Sequence, residues 1–154
     1  MPIALDTNVL WPVLTEAQPA VSILTPIIES YNTSDGLVVC GAVYAELLAG
    51  SGATAPIIDA SLARVGIVID DAFPLALWRE AGLAYHAYAE RRLASEGALP
   101  RRILADFIIG VHALHTASAL MTLNRSDFAR LFPALPLIMP NLNPQPSDTP
   151  TSAD

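Results

Sequence analysis

Pro2-Ile3-Ala4-Leu5-Asp6 opens the chain with an apolar run too short for a helix and closed by an acid, the pattern of a buried strand that ends at a polar edge. Working outward, apolar residues recur at helical spacing at Val21, Leu24, Ile27, Ile28 and Tyr31, which predicts a helix over 21–31. Asp35-Gly36 is a turn signal ahead of a second apolar run, Leu37–Cys40, and Val43, Leu47 and Leu48 resume helical spacing until Gly50-Ser51-Gly52 breaks it. The same reading predicts a helix over 55–64, a strand over 66–69, a long helix over 74–95 stopped by Gly97, a helix from Ile103 to about His115, and strands over 117–123 and 137–139. Strands alternating with helices of these lengths predict an α/β fold, a mostly parallel sheet of about five strands covered on both faces.

With 154 residues the chain suits one domain, expected to span 1–140. Residues 141–154 turn to Pro, Asn, Ser, Thr and Asp without apolar period, which predicts a disordered C-terminal tail. All eight basic residues are arginine, so chemistry that needs a lysine is excluded: a Walker A loop, a pyridoxal Schiff base, a kinase-type lysine. The single cysteine, Cys40, makes no disulfide, zinc ribbon or iron–sulfur cluster alone. Asp6 interrupts the first apolar run before a signal peptide forms, and 107–123 is shorter than a bilayer span of roughly 20 residues. The expectation is a cytoplasmic protein with no membrane contact.

The formal charge is −7, the wrong sign for a nucleic-acid protein, but it is unevenly spread. Residues 1–90 carry a net −8, whereas 91–130 carry +3 through Arg91, Arg92, Arg101, Arg102, Arg125 and Arg130. Those arginines serve either as forks for phosphate or as a solvated helix face.

Four acids stand at apolar boundaries: Asp6 after the first strand, Glu46 in Val43-Tyr44-Ala45-Glu46-Leu47-Leu48, Asp106 in Leu104-Ala105-Asp106-Phe107-Ile108, and Asp127 after the fourth strand. A buried, unpaired carboxylate costs several kcal/mol or shifts its pKa upward. In a parallel α/β sheet the carboxyl ends of strands and the N-termini of the helices that follow share one edge, where ligand crevices form. Four like charges converging there, with no lysine between them, call for a hard divalent cation, and all-oxygen ligation favours Mg2+ or Mn2+ over Zn2+. Such ions serve phosphodiester hydrolysis. Each acid also has a bland role: Asp6 as a turn or N-cap, Glu46 as an exposed or arginine-paired position, Asp106 paired with Arg102, Asp127 capping a helix from Phe128.

Leu5-Asp6-Thr7-Asn8-Val9-Leu10, Ala45-Glu46-Leu47, the run Ile103–Ala113 and Met121-Thr122-Leu123-Asn124-Arg125-Ser126-Asp127-Phe128 resemble, in order and spacing, the motifs of PIN domains, most like the VapC-type toxins of bacterial toxin–antitoxin pairs. The resemblance reaches to Pro140. It implies an α/β/α sandwich, a Mg2+- or Mn2+-dependent ribonuclease, usually dimeric, acting on RNA and inhibited by a cognate antitoxin. Asp6, Glu46 and Asp106 match the three metal-holding acids of the family. Many members have aspartate where this chain has Asn124, and Asp127 stands three residues later; Asp127 is the expected charged ligand, with Asn124 a polar contact. Asn8 and Thr122 match small polar positions lining the pocket, and Arg125 is grouped with them as a substrate contact. Glu46 or Asp106 would position or deprotonate the nucleophilic water.

His112 and His115, spaced i,i+3 on an apolar helix, read as structural; His86, with Tyr85 and Tyr88, reads as helix packing or a subunit contact, and Trp11 and Trp78 as core or dimer packing. Two rival functions stand beside the nuclease. One is a PIN-like RNA- or protein-binding module made inert by its altered fourth position. The other, an aspartyl phosphatase, lacks the second aspartate after Asp6-Thr7-Asn8 and any lysine to hold phosphate.

Overall fold

Ile3, Ala4 and Leu5 are all buried, as are Leu37–Cys40 and Ala119–Met121. A strand buried at every successive position has cover on both faces, and these three occupy the middle of the sheet. The computed structural model describes residues 1–96 and 104–143. Within them, β1 (Ile3–Leu5), β2 (Leu37–Cys40), β3 (Ile67–Asp70), β4 (Ala119–Met121) and β5 (Leu137–Ile138) form one sheet in the order β3-β2-β1-β4-β5, every neighbouring pair parallel. Ile3 sits opposite both Leu37 and Ala119. The expected five-stranded α/β architecture is observed.

Seven helices connect the strands: α1 (Thr7–Leu14), α2 (Ala20–Ser34), α3 (Gly41–Leu48), α4 (Ala55–Val65), α5 (Leu75–Glu96), α6 (Leu104–Thr116) and α7 (Arg125–Leu131). Helix α1 has no counterpart in the sequence reading, which left residues 7–20 without an element. Pro12 lies inside it and removes one backbone donor, yet Val9 and Leu10 are fully buried and packing holds the two turns. Helix α7 begins at Arg125, so Asp127 stands within its first turn and does not cap a helix from Phe128; the N-cap position belongs to Asn124. Gly66 has φ +77° and caps α4 in the left-handed conformation, so β3 starts one residue later than expected. The expected restart at Leu99-Pro100, the start of the sixth helix at Ile103, the Arg102–Asp106 pair and the tail beyond residue 143 lie outside the described residues.

Two packing contacts place the chemistry. Trp11 of α1 packs against Gly50, just past α3, where any Cβ would overlap the indole. That draws the N-terminal turn of α1 toward α3. On the other side, Phe107 of α6 meets Tyr85 and Tyr88 of α5 at ring distances of 5.3 and 5.6 Å and Phe132 at 6.2 Å, fixing the N-terminal end of α6.

Candidate active site

Strand order reverses direction of growth between β1 and β4: β2 and β3 lie to one side of β1, β4 and β5 to the other. In open parallel sheets this switch point is where the first connections part and leave a crevice at the carboxyl edge. Asp6 directly follows β1 and Thr122 directly follows β4. The Asp6 N–H donates to the Met121 carbonyl at 3.0 Å, so the two strand ends are tied together at the crevice.

Asp6 is buried, and its Oδ2 accepts the Thr122 hydroxyl at 2.6 Å and the Asn8 amide N–H at 2.7 Å. The Asn8 amide also reaches Thr122 Oγ1 at 3.4 Å, while its Oδ1 accepts the Leu123 N–H at 3.0 Å. Thr122 Oγ1 in turn accepts the Asn124 N–H at 3.0 Å. Asp6, Asn8, Thr122 and the backbone of Leu123 and Asn124 thus form one continuous network. Glu46, half-buried on α3, accepts the Thr7 hydroxyl through Oε2.

Burial pushes the Asp6 carboxyl above its ordinary range; the Thr122 hydroxyl and the Thr7 N–H pull it down, and the charges of Glu46 and Asp106 push it up again. Glu46 on α3 and Asp106 on α6, tens of residues away in the chain, thus both bear on Asp6 at the end of β1. Asp127, 19% exposed, engages Arg130, whose Nη2 donates to its Oδ1 at 3.3 Å. Asn124 joins the Asp6 network through its backbone N–H, which donates to Thr122. Arg125 is exposed at the start of α7.

Thr7 is the contributor the sequence reading passed over. Its signal was weak: a threonine directly after a strand-end acid, indistinguishable from a helix start until α3 is seen beside it. His112, fully buried, sets Nε2 2.9 Å from Asp70 Oδ2 at the end of β3, and His115 pairs with Glu80 at 2.8 Å, so both histidines join elements as expected. His86, expected in helix packing or a subunit contact, is 68% exposed and pairs with Glu90 one turn on, which leaves its ring at the surface and not in the core. Trp11 packs within the chain, whereas Trp78 is 48% exposed and edges Phe73 at 4.8 Å.

Among the described residues no three His, Cys, Asp or Glu side chains already stand close enough to hold an ion. The donor set nonetheless suits a hard divalent cation: oxygen only, carboxylate-rich, with one member buried and its charged form penalised by its neighbours.

The PIN domain family model matches residues 3–131, and the chain belongs to that family. No curated protein matches it in sequence. Among solved structures it is similar to a chain of the VapBC2 complex from Rickettsia felis bound to a DNA fragment from their promoter, with 21% identity, a TM-score of 0.61, and coverage of 92% of this chain and 100% of that one. It is also similar to VapBC-1 from nontypeable Haemophilus influenzae, with 24% identity and a TM-score of 0.58, and to the DNA-bound VapBC from Salmonella typhimurium, with 17% identity and 0.57; each match covers 90% of this chain and 98% of the other. The resemblance to PIN domains, read from four short motifs, holds at the level of family, and the likeness to chains of VapBC complexes holds at the level of fold. No helix among the described residues is long and apolar enough to cross a membrane.

Proposed function

We propose that this PIN domain is a Mg2+- or Mn2+-dependent endoribonuclease, the toxin of a toxin–antitoxin pair, acting in the cytoplasm as a homodimer and held inactive by a cognate antitoxin. The observation that carries the reading is the buried Asp6 carboxylate at the β1/β4 switch point, with the charges of Glu46 and Asp106 bearing on it. The family match and the toxin–antitoxin complexes among its structural relatives support it.

Asp6, Glu46 and Asp106 would hold the metal, with Asp127 or Asn124 completing the shell. A bound divalent ion supplies charge neutralisation at a phosphodiester and a lowered pKa for water. The chain's own part is positional. Thr122 and Asn8 fix the Asp6 carboxylate by hydrogen bonds to Oδ2, and Thr7 fixes that of Glu46. Glu46 or Asp106 would also orient the attacking water or take its proton through a carboxylate oxygen left uncoordinated. Arg125, exposed beside Asn124, meets substrate phosphate.

A cleavage assay on structured and single-stranded RNA tests this. Activity is expected with Mn2+, lost with EDTA, and lost in Asp6→Asn and Asp106→Asn; activity retained in both variants sinks the proposal. A second reading, an inert binding module, draws on one observation: the family's usual fourth aspartate is Asn124 here, while Asp127 is engaged by Arg130. Calorimetry that finds no Mg2+ or Mn2+ binding at millimolar concentration would favour it.

A further inference from the structure

Helix α5 is apolar on two opposite sides. Leu77, Ala81, Ala84 and Tyr88, at i, i+4, i+7 and i+11, turn inward, and Ala81 and Tyr88 are buried. A second stripe runs along the outward side, where Leu75, Trp78, Gly82, His86 and Leu93 stand at i, i+3, i+7, i+11 and i+18, the spacing of a helix–helix seam. Leu75 is 63% exposed, Trp78 48% and Leu93 52%. A helix on a protein surface normally turns polar residues outward, so large apolar side chains left open along this seam mark a contact face.

Gly82 sits near the middle of the seam. A Cβ there would meet nothing within 4 Å, so no contact inside the chain requires glycine, and glycine weakens a helix interior relative to alanine. What the missing side chain provides at an exposed position is closeness, because a second helix can approach the backbone there.

The seam also reads alike in both directions. Leu75 and Leu93 lie nine residues to either side of Ala84, and Gly82 and His86 two. Arg79 and Glu90, both exposed, flank the seam five residues before Ala84 and six after it. Arg79 pairs with no carboxylate among the described residues, and Glu90 has His86 at 3.4 Å. When two copies of α5 lie antiparallel about a two-fold axis at the level of Ala84, Leu75 of each reaches Leu93 of the other, and Arg79 of each reaches Glu90 of the other. Opposite charges then meet twice across one contact.

We propose that α5 packs antiparallel against α5 of a second copy of this chain, with Gly82 at the closest approach and Arg79 and Glu90 paired between the chains. The proposal gives the homodimer put forward above its contact face; it rests on that reading and not on the ribonuclease chemistry. A different protein seated on this face would make no use of the symmetry about Ala84.

The test is sedimentation velocity of the full chain at micromolar concentration. The unsubstituted chain is expected to sediment as a dimer. Gly82→Gln has open space in the single chain and favours the helix, yet it blocks the close approach, so dimer affinity is expected to fall at least about tenfold with the circular dichroism of the folded chain unchanged. Arg79→Glu and Glu90→Arg each set like charges against each other twice, and each alone is expected to sediment as a monomer. Mixed in equal amounts, the two variants restore both pairs and are expected to form a heterodimer, a recovery that damage to the fold does not produce. A dimer indifferent to all three substitutions leaves the homodimer standing and overturns this face, as does a mixture that stays monomeric. An unsubstituted chain that sediments as a monomer removes the homodimer and the proposal together, whereas a dimer that responds as expected but does not cut RNA sinks the ribonuclease reading alone.

Discussion

The Thr122 hydroxyl donates to Asp6 Oδ2 at 2.6 Å across 116 residues of chain, and Thr122 is fully buried. This one bond joins the ends of β1 and β4 through side chains, as the Asp6 N–H and Met121 carbonyl join them through backbone. Thr122→Val keeps the shape and removes the donor, and it strips the Asn124 N–H of its acceptor as well. The expected loss is about 1.5–3 kcal/mol, the range for a hydrogen bond to a charged group, measured by urea unfolding. The bond also lowers the Asp6 pKa, so its removal is expected to raise that pKa further and shift the acid limb of the cleavage profile toward higher pH. An unchanged profile would show that Thr122 only packs.

Asp6 makes stability depend on pH with a definite sign. Its pKa in the folded chain lies above the ordinary 3.8, chiefly through burial, so the folded state holds the proton more tightly than the unfolded one. The metal-free protein therefore has this contribution in full below pH 3.8 and loses it as pH rises through the folded pKa. Asp6→Asn has no proton to lose. In EDTA the variant is expected to melt higher than the parent at about pH 7, with the gap closing toward about pH 4, and Mn2+ is expected to raise the melting temperature of the parent alone. A gap that does not vary with pH would remove Asp6 as its source.

What could be read ahead of the structure follows from which interactions are local. Strands β1 and β2 announced themselves because a strand covered on both faces must be apolar throughout, and Ile3-Ala4-Leu5 and Leu37–Cys40 are. The acids stood out because Asp6, Glu46 and Asp106 interrupt sequence that is otherwise fit for a core. Helix α1 was hidden because its signal is tertiary: Pro12 argues against a helix locally, and the indole of Trp11 against Gly50 argues for one only once α3 is in place. The Thr7–Glu46 bond was hidden for the same reason. Spacing alone does not rank Asn124 and Asp127, since both fall in one short motif; the fold adds that the Asn124 backbone N–H meets Thr122 while the Asp127 carboxylate meets Arg130.

His112 is a buried imidazole within a few turns of Asp106, and its contacts assign it to architecture. It bridges α6 to the end of β3 through Asp70, and the Thr116 hydroxyl lies 3.2 Å from Nε2. His112→Ala is expected to cost about 2–4 kcal/mol from the cavity and the broken bond, while Asp70, partly exposed, regains water. Affinity for Mn2+, measured by calorimetry on the folded variant, is expected to stay within about twofold of the parent. A tenfold fall would place His112 in the metal site.

Gly110 tests how closely α6 must approach its neighbours. A methyl group there would overlap the Phe132 ring, which is buried and stacks with Phe128 at 6.4 Å while meeting Phe107 edge-on. Two effects oppose each other in Gly110→Ala. Alanine favours the helix by about 1 kcal/mol, and overpacking a filled core costs about 1–3 kcal/mol. Because the ring is held on two sides and the overlap is severe, overpacking wins, and net destabilisation is expected by chemical unfolding. Phe132→Leu in the same chain opens the space, so the double variant is expected to be more stable than the sum of the single losses, a coupling that a mutant cycle measures. Phe107 follows Asp106 directly, so a displaced Phe132 also disturbs the end of α6 that carries the acid. The single variant is therefore expected to lose Mn2+ affinity and the double variant to regain it; additive losses in both quantities would mean that α6 tolerates a side chain at this contact.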